Sequence, residues 1–551
     1  MSTLTGSSHS RSKPANNQSS TSLTNLIGTN EANTPIGIKI FGSCFKFGSV
    51  QSKRTYHQGL VLLLTFIAYA AFHMGRRPLS IVKNVLNRDC SKVNNSVGAQ
   101  QVDSQIVSTL STLEVTPTPN DTSCNWAPFD DNATANQLLA YLDTAFLLSY
   151  AIFMFFSGPV AERTNLRYFV SIGCVLSGLG LVAFGFSYSL DIHSMTYFII
   201  VQIAAGAAQS TGWPVVVTCI GNWFEESKRG TIYGLWNSHT NLGNILGATI
   251  AGYFVETDWG LSFIVPGGIM VAVGILLFLF LVPAPNDVNL KAPAQEVLGN
   301  PTLTPSGDIA TLSGSQYSLE IESSQKSSNV VVIESADKHE EQKGAISFMK
   351  ALKIPGVIEY SLCLFFSKLV SYTFLYWLPR YITASTTFNS EDSAYLSTPF
   401  DVGGIAGAIL AGYLSDKFKV NGIICNIMLI FAIPSMFVYQ KYGAISSMHN
   451  ILLQLVVGLL VNGPYCLITT AVSADLGYRV KDGHAMATVS AIIDGMGSVG
   501  AVLGPLFAGF VSSSNWQAVF IMLMLSDVMA ALCIVRVTIN DVKKLLGQSQ
   551  D

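Results

Sequence analysis

Arg76 and Arg77 stand side by side inside an apolar run that reaches from Gly59 to Leu86. About 20 such residues cross a bilayer, so two guanidinium groups are placed at membrane depth. An arginine there costs at least about 2.5–3.5 kcal/mol and is kept where it faces a water-filled path or an anionic partner. The guanidinium fork matches phosphate oxygens in pairs. The chemistry on offer is therefore anion binding; the plainer reading is that both arginines snorkel to the interface at a helix end. Lys368, in Leu-Phe-Phe-Ser-Lys-Leu-Val, is a third cation within an apolar run. It suits a doubly charged oxyanion as a point charge, or it pairs with a buried acid such as Asp143 or Asp494. His239, in Leu-Trp-Asn-Ser-His-Thr-Asn, is a phosphate donor, a proton site or a structural histidine. Trp213, before Pro214, stacks on a sugar face or simply packs.

The chain that must position these groups has 551 residues, 49% hydrophobic and 12% charged. A soluble domain carries about 25% charged residues; this is a polytopic membrane protein. The net charge of −3 and the absence of a basic tract give no sign of nucleic-acid binding. Nine cysteines lack metal-ligand spacing, and Cys174, Cys219, Cys363 and Cys533 read as core thiols in apolar runs. No metal or other cofactor is expected. No nucleophile–base set and no phosphate-cradling glycine loop is visible, which argues against an enzyme.

Twelve apolar segments are expected, at 59–86, 137–160, 167–187, 194–222, 230–255, 260–282, 355–381, 394–415, 421–439, 449–476, 485–511 and 515–537. Residues 1–54 read as a disordered tail without a cleavable leader, and 541–551 as a second tail. The Ser/Pro/Lys/Glu-rich stretch 284–350 reads as a disordered linker between six-span halves at 55–283 and 351–540. Lys53, Arg54, Arg163, Arg167, Lys228, Arg229, Lys417, Lys419, Arg479, Lys481, Arg536, Lys543 and Lys544 fall on one side. By the positive-inside rule that side, with both termini, is cytosolic. The loop 87–136 then faces the lumen or the exterior. It carries glycosylation sequons at Asn94, Asn120 and Asn132, and Cys90 and Cys124 either pair there or stay free.

The halves repeat each other. Glu162-Arg163 and Asp416-Lys417 end a second helix in each, at an offset of 254 (416 − 162). Gly243-x3-Gly247-x4-Gly252 matches Gly500-x3-Gly504-x4-Gly509, at an offset of 257 (500 − 243). Trp213-Pro214 answers to Gly463-Pro464, at an offset of 250 (464 − 214). Small residues let helix backbones approach closely where lipid supplies no hydrophobic drive. For the first helix of each half, allowance for the long first loop gives an offset of 292 (368 − 76), which sets Lys368 against Arg76. The expectation is a cation from each half facing a central cavity near the midplane. Asp143, Asp401, Asp475 and Asp494 form no row of carboxylates, which leans away from proton coupling.

The acid–base pair after the second helix of each half resembles the loop motif of the major facilitator superfamily, whose plan is two six-helix repeats. The segments Phe72-His-Met-Gly-Arg76-Arg77-Pro-Leu-Ser80, Gly212-Trp-Pro-Val, Gly221-Asn-Trp-Phe, Trp236-Asn-Ser-His239-Thr-Asn-Leu-Gly-Asn-Ile-Leu-Gly247, Ser367 to Pro379 and Val461 to Gly477 carry a narrower likeness. They resemble the eukaryotic sugar-phosphate exchangers, the glucose-6-phosphate:phosphate antiporters of the organophosphate:phosphate antiporter group. The likeness spans residues 55–540 and is strongest to the endoplasmic-reticulum type. It implies an all-α membrane fold, residence in the endoplasmic-reticulum membrane, and Arg76 as the essential first-helix arginine with Arg77 beside it. Tyr69, Tyr150 and Trp213 match cavity aromatics. Three positions depart from the bacterial members: Met154 replaces a second-helix lysine, the seventh-helix base falls nearer Ser371 than Lys368, and their histidine aligns with Thr240 rather than His239.

The reading that follows is a monomeric secondary transporter exchanging a sugar phosphate, glucose 6-phosphate, for inorganic phosphate by alternating access. Its partners are those small anions and the lipid bilayer. The alternative is a proton- or sodium-coupled organic anion symporter of the same fold.

Overall fold

The computed structural model describes residues 33–42, 48–87, 126–131, 133–224, 236–290, 348–478, 486–513 and 515–548. These are largely helical, with no strand among the described residues. Twelve helices run up and down. In the first half they are α1 (Val50–Leu86), α2 (Ala135–Arg163), α3 (Leu166–Ser189), α4 (Met195–Trp223), α5 (His239–Val255) and α6 (Leu261–Phe280). In the second they are α7 (Val357–Ser385), α8 (Ser390–Phe418), α9 (Asn421–Tyr442), α10 (Ser447–Gly477), α11 (Met486–Ser512) and α12 (Trp516–Cys533). Eleven of the twelve are long and apolar enough to cross a membrane, and α5 adds 17 described residues. Each sequence-predicted span overlaps one of them; residues 230–235 of the fifth lie outside the described residues, and the last, 515–537, runs on past Cys533.

Packing repeats between halves. Helix α1 lies against α5, α2 against α4 and α3 against α6; α7 against α11, α8 against α10 and α9 against α12 follow the same scheme. The halves meet through α2 with α11, α5 with α8, and α1 with α7. The repeated glycines set the closest approaches. A methyl group at Gly243 or Gly247 would collide with the carbonyl of Ala70 or Met74 on α1, and one at Gly500 or Gly504 with that of Phe365 or Leu369 on α7. These four contacts fix the internal register at an offset of 295 (365 − 70 and 369 − 74). The sequence-based value of 292 therefore slips by three residues. Ser371 is the counterpart of Arg76, and Lys368 lies about one turn earlier, opposite His73. Apolar runs leave such a slip undetected, because a three-residue shift keeps the same helix face.

Several helices break where they pass the centre. Helix α1 is interrupted at Arg77 before Pro78, α4 at Ser210–Thr211, and α8 at Ser397. In α10 the residues Ile468–Val472 widen into a π-turn. Broken helices at membrane depth are accommodated where they line a cavity or are buried in protein.

Three expected boundaries need correction. Within the supposed tail 1–54, Ile36–Gly42 is a helix with Ile38 packed on the core, and α1 starts at Val50 behind a Ser49 cap. The linker does not begin at 284: Pro285–Val288 form a 3₁₀ turn, Asp287 accepts the Ala284 N–H at 3.1 Å, and Val288 and Leu290 are buried. Lys53 Nζ donates to the Val288 carbonyl at 2.7 Å, tying this turn to α1. The final tail is helical as far as Gln548: α13 (Val535–Gln548) is amphipathic, and its Asp541 accepts the Gly422 N–H at 2.8 Å. Apolar side chains spaced for local packing outweigh the polar composition around them. Asn94, Asn120, Asn132, Cys90 and Cys124 lie outside the described residues.

Candidate functional site

Arg76 is the last residue before the break in α1 and is 5% exposed. Its Nε donates to Oε1 of Gln209, the last residue before the break in α4. Gln209 is held in turn by donating to the Phe72 carbonyl at 3.3 Å. From the other half, Tyr372 Oη accepts from Arg76 Nη1 at 3.4 Å. The guanidinium lies 4.7 Å from the Tyr150 ring centroid and 5.9 Å from that of Phe146. Among the described residues no carboxylate pairs with Arg76. A buried cation satisfied only by neutral oxygens and aromatic faces is an electrostatic vacancy for an anion.

Lys368 is as buried as Arg76 but is paired: its Nζ lies 2.8 Å from Asp494 on α11 and 5.6 Å from the Tyr465 ring centroid. Asp494 keeps 24% of its side chain exposed, so this pair borders an accessible space. Tyr372, one turn along α7 from Lys368, takes the Arg76 hydrogen bond, which places the two cations around one locus. Tyr69 is the hub of an aromatic wall beside it. Its ring centroid lies 4.7 Å from that of His239, 5.4 Å from Trp213 and 5.8 Å from Trp236. His239 is fully buried, its Nδ1 is 3.2 Å from Thr240 Oγ1, and its Nε2 has no hydrogen-bond partner.

Arg77 points elsewhere. It donates to the Leu375 carbonyl, to Ser397 Oγ at 3.0 Å and to Asp401 Oδ2 at 3.3 Å, all on the opposite half. Towards the end of the bundle away from the chain termini, Lys83 pairs with Asp143 at 2.5 Å and donates to the Tyr376 carbonyl at 3.1 Å. Arg380 Nε donates to Asn136 at 2.7 Å, Nη1 to the Lys83 carbonyl at 2.9 Å, and Nη2 to Asn87 at 2.7 Å. Glu256 accepts the Ser390 N–H at 2.8 Å beside them. The Lys83–Asp143 pair lies within the first half, and the other bonds stitch the two halves together into a distal seal. The guanidinium of Arg77 belongs to the seal, not to the locus around Arg76.

The Major Facilitator Superfamily matches residues 122–492. The chain belongs to that superfamily. Glucose-6-phosphate exchanger SLC37A2 of Xenopus laevis is 47% identical over 90% of this chain and 95% of its own length. Glucose-6-phosphate exchanger SLC37A1 of Mus musculus is 44% identical over 91% of this chain and 95% of its own. Among solved structures, an inward-facing, unoccupied bacterial homolog of the human lysosomal transporter Spinster aligns with a TM-score of 0.56 at 13% identity. It covers 88% of this chain and 98% of that one. A D-xylose-proton symporter aligns at 0.52 and 12% identity, over 86% and 96%. Those two likenesses concern the fold alone.

The facilitator thus brings Arg76, Lys368, Tyr69, Tyr150, Trp213 and His239 towards one region and directs Arg77 away from it. Of the acids considered from sequence, Asp494 takes Lys368, Asp143 takes Lys83 and Asp401 takes Arg77. Sequence reasoning missed Gln209, Tyr372, Lys83 and Arg380. Gln209 had a signal, one of two amides, with Gln202, in a largely apolar segment. Tyr372 had none, since tyrosines are common packing residues. Among the described residues no cluster of three His, Cys, Asp or Glu fits a metal ion.

Proposed function

We propose that this facilitator exchanges a sugar phosphate for inorganic phosphate by alternating access, with Arg76 as the primary phosphate ligand. The sugar phosphate is glucose 6-phosphate, the substrate in the names of its relatives. The observation that carries the reading is the buried Arg76 guanidinium at the half–half interface, which no carboxylate among the described residues neutralises. Phosphate supplies the missing charge in bidentate geometry. Tyr150 and Tyr372 frame it, and Lys368 joins when the anion competes with Asp494. An empty site keeps its positive charge, which resists closure of the halves around it. An occupied site is neutralised and can rock, and this couples outward to inward flux. Asp143, Asp401 and Asp494 each neutralise a cation, which favours anion exchange over a proton relay. Both termini face the cytosol in this reading, the membrane is that of the endoplasmic reticulum, the loop sequons are glycosylated, and the monomer is the working unit.

Counterflow in proteoliposomes tests it. Labelled phosphate should enter only vesicles loaded with phosphate or glucose 6-phosphate. Arg76→Ala should abolish entry while the protein still elutes as a monodisperse species. Unimpaired exchange by that variant, or entry into unloaded vesicles driven by a pH or sodium gradient, overturns the reading.

A further inference from the structure

Helix α13 follows α12 after a single intervening residue, Ile534, and turns two of its polar side chains towards the protein. Thr538 Oγ1 accepts from Asn426 Nδ2 at 3.0 Å and lies 3.2 Å from the Gly422 carbonyl oxygen. Asp541 accepts the Gly422 N–H at 2.8 Å. With Ile534 and Val537, which pack on the core, these residues make one helix face, and that face is locked to the first turn of α9. A second face carries Val535, Ile539, Val542 and Leu546, spaced by four, three and four residues, and all four are exposed. A helix in water hides such a stripe. Here the stripe points away from the protein.

The stripe begins before α13. On the membrane-spanning α12, Leu525, Val528 and Leu532 are exposed at the same three-and-four spacing, and Val535 comes three residues after Leu532. The outward residues of α12 meet acyl chains, so the surface they form runs without interruption onto α13. Basic groups edge it. Arg536 and Lys543, seven residues apart, stand on one flank. Arg536 pairs with Glu359 at 3.2 Å, and Lys544, on the far side of the helix, lies 4.0 Å from Asp541. Lys543 pairs with no carboxylate among the described residues. An apolar stripe continuous with a lipid-facing one, flanked by an uncompensated lysine, is the pattern of a helix lying between headgroups and acyl chains. We propose that α13 lies along the leaflet at the C-terminal end of α12, with its stripe in the acyl boundary and Lys543 on an anionic phospholipid headgroup. The bonds to Gly422 and Asn426 then tie that leaflet to the start of α9. A helix that continued α12 straight out of the membrane would instead carry Leu546 about 20 Å beyond Cys533, clear of the acyl chains.

A photoreactive benzophenone amino acid in place of Val542, Leu546 or Asn540 tests this in the full-length protein, in liposomes of phosphatidylcholine and phosphatidylserine. All three positions are exposed, so the replacements leave the packing intact. Illumination should give lipid adducts at 542 and 546 and several-fold fewer at 540, which lies off the stripe. Adducts at 546 should contain phosphatidylserine at roughly fivefold its share of the bilayer, the conversion of about 1 kcal/mol for one basic group at an anionic surface. Lys543→Gln should return that share to parity while the total lipid yield holds. Absence of lipid adducts at 546, equal yields at the three positions, or adducts chiefly to a second copy of the chain overturns the placement on the leaflet. A phosphatidylserine share at parity in the unsubstituted background, or one unmoved by Lys543→Gln, overturns the headgroup contact.

Discussion

Two regions of the half–half interface bury basic side chains, and they treat them in opposite ways. At the distal seal, Lys83 pairs with Asp143, Arg77 with Asp401, and Arg380 is held by two asparagine oxygens and the Lys83 carbonyl. Around Arg76 the acceptors are an amide and a tyrosine hydroxyl, and no carboxylate of the described residues is spent on it. Both regions lie at helix breaks, and both join the same two helices, α1 and α7. The lesson is that buried positive charge alone does not mark a binding site. It marks a latch where carboxylates, or a neutral acceptor for each guanidinium nitrogen as at Arg380, hold the cation between the halves, and a binding site where the ligand must supply the charge.

The largest effect should come from breaking the seal's charge balance. Lys83 and Asp143 are both fully buried, and removing one partner of such a pair costs about 3–5 kcal/mol because the other is left uncompensated. Asp143→Ala should lower the thermal transition in detergent far more than Arg76→Ala does. The double variant Lys83→Met/Asp143→Leu, which removes both charges, should recover most of the loss. Equal instability of single and double variants would mean that packing around Trp377, not the ion pair, holds this end. The Lys83 ammonium lies 4.1 Å from that ring's centroid.

A second variant turns one region into the other. Gln209→Glu places a carboxylate where Arg76 now meets only an amide. The locus should then resemble the seal. Phosphate has to displace an internal counter-ion, at a cost of about 2 kcal/mol or more, or roughly 30-fold in affinity. Thermal stability should rise or hold, since a buried cation gains a partner. Phosphate affinity measured by counterflow decides the matter: undiminished affinity in Gln209→Glu would mean that the anion does not bind at Arg76.

This contrast also explains how much of the fold and the site is legible in the sequence. The spans, the repeat of six in each half and the glycine contacts are carried by composition and by small residues at repeated spacing, and all three are local signals. Arg76 was legible because arginine within an apolar run demands an explanation. Its difference from Arg77 was not, because one step along a helix rotates a side chain by about 100° and only the partner half shows what each then meets. The slip from Lys368 to Ser371 as the counterpart of Arg76 has the same origin: helix register lies in side-chain collisions such as those at Gly500 and Gly504. The segments 33–42 and 284–290 were hidden for a different reason. A few apolar residues in a polar stretch gain order only from the distant surfaces they find.

The smallest and most diagnostic effect concerns Lys368, which stands between the two regimes. It has a carboxylate partner like the latch residues, yet Asp494 is 24% exposed and both share the neighbourhood of Arg76. Partial solvation limits the worth of such a pair to about 1 kcal/mol. Phosphate can therefore compete for Lys368 where it could not compete for Lys83. Asp494→Asn removes the competitor and leaves the locus more positive. Phosphate affinity should rise roughly fivefold, the conversion of about 1 kcal/mol. Maximal exchange should fall, because an empty site with more unneutralised charge closes less readily and a tighter one releases more slowly. Lys368→Ala should shift affinity the other way by a similar factor. If Asp494→Asn instead leaves affinity unchanged and lowers thermal stability as Asp143→Ala does, Lys368 is a latch, and Arg76 alone among the three sequence-predicted basic residues awaits an anion.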